Sequence, residues 1–242
     1  MTTTTCNGRL GNQIIRNLAV SLIAEKHNLY VHYCNNDLIA QLGINLFIGD
    51  LTHANTIELN DANFSTYLTS TTLTSNLQPN DHYFQTKEIT NILYNYLHST
   101  SVKSNIIGKN PFNKRYNANN DLCIHIRLTD ATGWNPGINY YMKAISTYTY
   151  DNIYIATDER NHSFIEQIVS KYPHNTTVLD YDEIKTLQFA STCKHIILSH
   201  GSFSVCIGYL AFCSNITYPK YEETKMWYGD MFHIDGWTEL SF

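Results

Sequence analysis

The sequence predicts an α/β protein built on parallel sheet, and three observations carry that prediction. From Asp121 onward, short apolar runs alternate strictly with amphipathic segments, the pattern of a doubly wound sheet. The chain opens as strand, glycine loop, helix, strand, a βαβ unit. Between them, Ile196–Phe212 (IILSHGSFSVCIGYLAF) reads as a buried strand, a glycine turn and an almost wholly apolar helix. With 242 residues and 43% hydrophobic content, the chain is long enough for one large domain or two small ones.

In order, Thr2–Cys6 is short and β-branched, and reads as an inner strand. Gly8-Arg9-Leu10-Gly11-Asn12-Gln13 is a glycine loop, from which Arg9 and Asn12 are placed to reach a ligand. Ile15, Leu18, Ala19, Leu22 and Ile23 recur at helical spacing up to His27, and Leu29–Tyr33 follows as a strand. From Asn36 to Asn120 the chain is rich in Asn, Thr and Ser, and periodicity is faint. It predicts helices at Leu38–Leu42 and Ile89–Leu97 and a strand at Thr56–Leu59. Asn105–Asn120 is polar, with Gly and Pro, and reads as a boundary between an N-terminal lobe, 1–115, and a C-terminal lobe, 116–242. Strands are then expected at Leu122–Ile126, Asn152–Ala156, Thr176–Leu179, His195–Leu198 and Asn215–Tyr218. Helices are expected at Asn139–Thr147, Ser163–Lys171, Asp182–Cys193 and Ser202–Phe212.

Composition excludes some functions. A net charge of −5 with no Lys/Arg run argues against nucleic-acid binding. No 18-residue apolar stretch is present to span a membrane, and the opening MTTTTCNGR lacks a signal-peptide pattern. Six cysteines without a C-x-x-C pair suggest a reduced, cytoplasmic protein.

In a doubly wound sheet, ligands sit outside the carboxyl ends of the strands. The polar residues there are Arg127–Asp130, Asp158 with Glu159, and Ser199–Ser204. Ser202 or Ser204 can cap the last apolar helix, whose unpaired N–H groups and dipole suit a phosphate; a ligand-free βα turn is the plainer alternative. Strand alternation puts His125 and Arg127 on one face, where an arginine fork suits a diphosphate. The alternative is a surface ion pair between Arg127 and Asp130. Asp180-Tyr181-Asp182 resembles a metal-binding D-x-D, but Asp182 fits better as a helix N-cap. No His/Cys cluster has zinc spacing, and no Walker loop or G-x-S-x-G is present.

Taken together, the motifs resemble those of the family 11 glycosyltransferases, the α-1,2-fucosyltransferases. Gly8–Gln13 resembles their G-x-L-G-N-Q, and His125–Asp130 their H-x-R-R-G-D. Leu187–Leu210 resembles their longest motif, with Cys193, His195, Ile197, Ser202, Phe203, Ser204 and Leu210 in register, and Ile153–Glu159 is similar to an intervening strand with an acidic end. The resemblance implies a GT-B-like fold of two Rossmann-like lobes, the second holding the nucleotide-sugar and the first facing the acceptor. It implies L-fucose transfer with inversion from GDP-fucose to a hydroxyl of an oligosaccharide or glycoconjugate, with no metal and no other cofactor. Arg127 and Asp130 would be catalytic, Asp130 as general base. Arg9, Asn12, His125, Arg127, Asp158, Ser202, Phe203 and Ser204 would bind the donor. The chain departs from the family pattern at Leu128, Val205, Cys206 and Thr186. Two alternatives stand beside this reading. One is a glycosyltransferase using another nucleotide-sugar, with Asp180 and Asp182 holding a metal. The other is a non-catalytic nucleotide-sugar or glycan-binding module, to which the 18 tyrosines would offer aromatic faces.

Overall fold

A computed structural model describes residues 1–130, 132–221 and 230–241. Their contacts divide into two units. The first holds Met1–Lys109 with Asp230 and Met231; the second holds the other described residues from Asn110 onward. The division falls six residues before the expected end of the first lobe at 115. A helix carries the first unit to Lys109, and Asn110 already belongs to the second, donating to Gln188 O (2.8 Å) and to the Tyr116 hydroxyl (3.1 Å).

The first unit begins with β1 (Thr2–Thr3), α1 (Leu10–His27) and β2 (Val31–His32), with β1 and β2 parallel. The βαβ opening is present, but α1 starts at Leu10 rather than near Ile15. Gly11, Asn12 and Gln13 are therefore helical, and Gly8 alone supplies the positive φ of the entry turn, at +79°. Ile15, Leu18, Ala19 and Ile23 are fully buried, and Asn28 ends the helix in the left-handed conformation. Next come α2 (Asn36–Gln41), β3 (Thr56–Glu58), α3 (Phe64–Thr69), β4 (Asn76–Gln78), α4 (Lys87–Leu97) and α5 (Thr100–Lys109). β3 and β4 form a second parallel pair. The parallel strands of this unit are thus two short pairs, not one broad sheet.

Cys6 and Cys34 form a disulfide, Cα–Cα 5.4 Å, which overturns the expectation of wholly reduced cysteines. Both follow parallel strands, β1 and β2, and parallel neighbours bring the residues after their carboxyl ends together although they lie 28 apart in sequence.

The second unit follows the predicted alternation closely. Its elements are β5 (Leu122–Ile126), α6 (Ile138–Ile145), β6 (Ile153–Thr157), α7 (Ser163–Lys171), β7 (Thr176–Val178), α8 (Glu183–Ala190), β8 (His195–Ile197), α9 (Ser202–Tyr209), β9 (Asn215–Pro219) and β10 (Thr238–Leu240). Six strands form one parallel sheet in the order β10-β9-β8-β5-β6-β7. Counted from β5, that is 3-2-1-4-5-6 read from the other edge, the Rossmann order. All five residues of β5 are buried, as a central strand between two helical layers requires. Leu122, Ile124, Ile126, Tyr140, Tyr141, Ile153, Ile155 and Ile168 make the core there. β10 is an edge strand of exposed or half-exposed residues, held by β9, so no apolar run announces it. No described helix is long and apolar enough to cross a membrane.

Candidate functional site

The order of the strands reverses between β5 and β8. The chain winds outward through β6 and β7, then returns to the other side of β5. A crevice forms outside the carboxyl ends at such a reversal, and this is where Rossmann-type sheets take their ligands. The segment after β5 carries Arg127–Asp130, and the segment after β8 carries Leu198–Gly201 and enters α9.

Gly201 is the N-cap of α9, with φ +91° and no side-chain cap. This corrects the expected capping by Ser202 or Ser204. A Cβ at Gly201 would run into Nη1 of Arg127, so the guanidinium lies against the first turn of α9. Its other face is spent on Asp130: Nε donates to Oδ1 (3.1 Å), and Nη2 to Oδ1 (2.9 Å) and Oδ2 (3.0 Å). The ion pair of the plainer reading is present, and it sits at a helix N-terminus. The side chain is 18% exposed.

The backbone beneath it is fixed from three sides. Asn135 Nδ2 donates to Arg127 O (2.7 Å), and Ser199 Oγ accepts from Arg127 N–H (3.4 Å) and from the Tyr141 hydroxyl (2.9 Å). Asp158, at the end of β6, accepts from Leu128 N–H (2.7 Å) and from the Thr129 hydroxyl (2.7 Å). Burial raises the Asp158 carboxyl, but those bonds outweigh it and hold the group below the usual aspartate range. Asp158 thus shapes the 127–130 loop from behind. Leu128, where the resembled motif has a second arginine, is buried in the core cluster. Val205 and Cys206 are buried too, so these three departures fill apolar space, while the fourth, Thr186, is half-buried on α8.

His125 and Ser204 are inside the protein. Their side chains bond to each other, and Ser204 Oγ also accepts Ser199 N–H (3.1 Å). Burial pushes His125 down to about 3, so the ring is neutral. Ser204 is fully buried and serves the strand end, not an open phosphate turn. Ser202 is the first residue of α9 and is buried, while Phe203 is half-buried against the His125 ring at 5.3 Å.

Sequence reasoning gave His200 no particular role. It is 4% exposed, and burial followed by Arg127 pushes it down to about 4. Ser199 Oγ already accepts two bonds, so its single proton is left for His200 Nδ1 at 3.4 Å. The neutral ring then carries its own proton on Nε2, which is buried and has no hydrogen-bond partner among the described residues. Asn135 and Tyr141 were also missed. The Asn135-Pro136-Gly137 turn was the available signal, but nothing in it says which loop it braces.

In the first unit, Arg9 is the exposed N-cap of α1. Asn12 Oδ1 accepts from Gln85 Nε2 (2.8 Å), and Gln13 Nε2 donates to Gly8 O (2.7 Å) and Cys6 O (3.1 Å). The glycine motif is therefore accounted for locally: Gly8 turns the chain, and Gln13 staples the turn. The carboxylates of Asp180-Tyr181-Asp182 are both engaged. Asp182 caps α8 through Lys185 N–H (2.7 Å), as expected, and Asp180 pairs with Arg160. No group of three or more potential metal ligands is found among the described residues.

Compared with known proteins, the chain matches no family model and no curated protein.

Proposed function

We propose that the chain is an inverting glycosyltransferase that moves L-fucose from GDP-fucose to a hydroxyl of a glycan acceptor, without a metal. The observation that carries this reading is the meeting of Arg127 with the N-terminal turn of α9 at the reversal point of the Rossmann-order sheet. A cation beside a helix N-terminus is a pairing that suits a diphosphate, and it supports this reading. His200 Nε2 adds a buried donor on the residue before Gly201. The two-lobed GT-B arrangement belongs to this proposal as well.

In the proposed reaction the acceptor hydroxyl attacks the anomeric carbon from the side opposite GDP. The new C–O bond forms as the carbon–phosphate oxygen bond breaks, and the electron pair goes to the diphosphate. Arg127 and α9 stabilise that developing charge with groups already in position, the kind of preorganisation that contributes most to catalysis. Asp130 takes the acceptor proton. Its carboxylate is held by Arg127 before the donor arrives, so donor binding must break that pair, with Asp130 turning away while Arg127 keeps its place against α9.

The test is sugar transfer from a panel of nucleotide-sugars in excess chelator. GDP-fucose is the expected donor, and Arg127→Ala is expected to lower transfer by roughly 10²–10³-fold. Near-normal turnover in that variant would remove Arg127 from the mechanism. A donor carrying uridine would correct the nucleotide, and dependence on manganese would bring back Asp180 and Asp182.

A further inference from the structure

The first unit contains a pocket of about 420 Å³ between the end of α1, the 43–48 loop, α4 and the start of α5. Its size falls within the roughly 300–1,000 Å³ of small-molecule sites. Glu25 lies fifteen residues along α1 from Leu10, about 22 Å at 1.5 Å per residue. The pocket is therefore at the far end of α1 from the Gly8–Gln13 motif, and it does not depend on the function proposed above.

Part of its wall is braced by contacts within the unit. Phe47 is pinned on both sides of its backbone, its N–H donating to Ser21 Oγ (2.8 Å) and its carbonyl accepting from Tyr33 (2.7 Å). Gly43 has φ +78°, and a Cβ there would come within 2.7 Å of the Ile106 Cα, so the loop lies directly on α5. Asn105 Nδ2 is tied to Gly43 O (2.7 Å).

Apart from Asn105 Nδ2, the polar side-chain groups that line the pocket are uncommitted. The Glu25 carboxylate, the Asn45 amide, the Tyr96 and Ser101 hydroxyls and Asn105 Oδ1 make no hydrogen bond with any described residue. Two of the five, Glu25 and Asn105 Oδ1, can only accept. Among the lining residues there is no Lys, Arg or His, so nothing there would balance a phosphate or a carboxylate. Phe47 and Tyr96 add aromatic surface. A ligand for this pocket needs several hydroxyl donors, no negative charge and an apolar face.

We propose that this pocket binds an uncharged saccharide, with Glu25 and Asn105 accepting from its hydroxyls and the Phe47 and Tyr96 rings covering its C–H face. The experiment is an NMR titration of the full chain, following backbone amides. The probes are methyl glycosides of glucose, galactose and N-acetylglucosamine, with glucosamine and glucose 6-phosphate as charged comparators. At least one uncharged glycoside should shift the signals of residues 43–48 and 96–105. Glu25→Gln should weaken that binding by about tenfold, the worth of one hydrogen bond to a charged group. Tyr96→Phe, which keeps the ring, should weaken it by a smaller factor. Glu25 and Tyr96 lie at the pocket's surface, and an unchanged amide spectrum without sugar will show that both variants fold. The proposal is overturned if no glycoside shifts these signals at high-millimolar concentration, or if the shifts map elsewhere. It is also overturned if a charged comparator binds more tightly, or if Glu25→Gln binds as wild type does.

Discussion

Arg127 is held by a carboxylate and aimed at a helix, and the two partners lead to separable effects. In the proposed mechanism Arg127→Ala removes charge from the leaving group, whereas Asp130→Asn removes the base and leaves the phosphate contact. Asp130→Asn should therefore reduce turnover while nucleotide affinity stays within a few-fold of wild type. Equal losses in turnover and affinity would show that Asp130 acts only by orienting Arg127. His125 and His200 make a second prediction. Both are neutral in the folded chain, pushed by burial to about 3 and about 4. An unfolded histidine takes a proton below about 6.5. Between these values the unfolded state binds more protons, so stability falls as pH falls, by up to about 1.4 kcal/mol per pH unit for each ring. The melting temperature should drop from pH 7 to pH 5, and His125→Asn or His200→Asn should make the drop shallower. An unchanged slope in both variants would contradict the assignment. At this scale the sequence was legible where chemistry is local: Asp182 could be read as a cap because a cap is a relation across three residues. The burial of Ser204 was not legible, because its partners Ser199 and His125 lie on different strand ends.

At the scale of elements, α9 carries the argument. Gly201 allows its entry turn and gives Arg127 room, so Gly201→Ala meets both a positive φ and a steric conflict. A loss of roughly 1–3 kcal/mol in stability is expected, together with weaker nucleotide binding as Arg127 is displaced. Wild-type nucleotide affinity in this variant would detach Arg127's position from the site. The disulfide acts on the other unit. Closing a loop of 28 residues restricts the unfolded chain by roughly 3–4 kcal/mol. Reductant, or Cys6→Ser with Cys34→Ser, should lower the melting transition of that unit, and an unchanged transition would contradict the bond. Elements buried on both sides, such as β5 and β8, were readable as apolar runs. β4 and β10 were not, because they are short, largely polar, and held by strands distant in sequence.

For the molecule as a whole, strand order is the informative quantity. Alternation of elements predicts a parallel sheet but not where its order reverses, and the reversal is what brings Arg127 beside α9. The sequence supplied the pieces of the candidate site at the ends of β5, β6 and β8, and the topology joined them. The most direct test of that junction is a thermal-shift titration of the full chain with GDP and GDP-fucose, in excess chelator, for wild type and Arg127→Ala. A ligand at about 100 times its dissociation constant stabilises by roughly 2.7 kcal/mol. The account predicts a clear rise in melting temperature for wild type with both ligands and a much smaller one for Arg127→Ala. If no nucleotide raises the transition, or if both proteins respond equally, the reversal point of this sheet is not a diphosphate site.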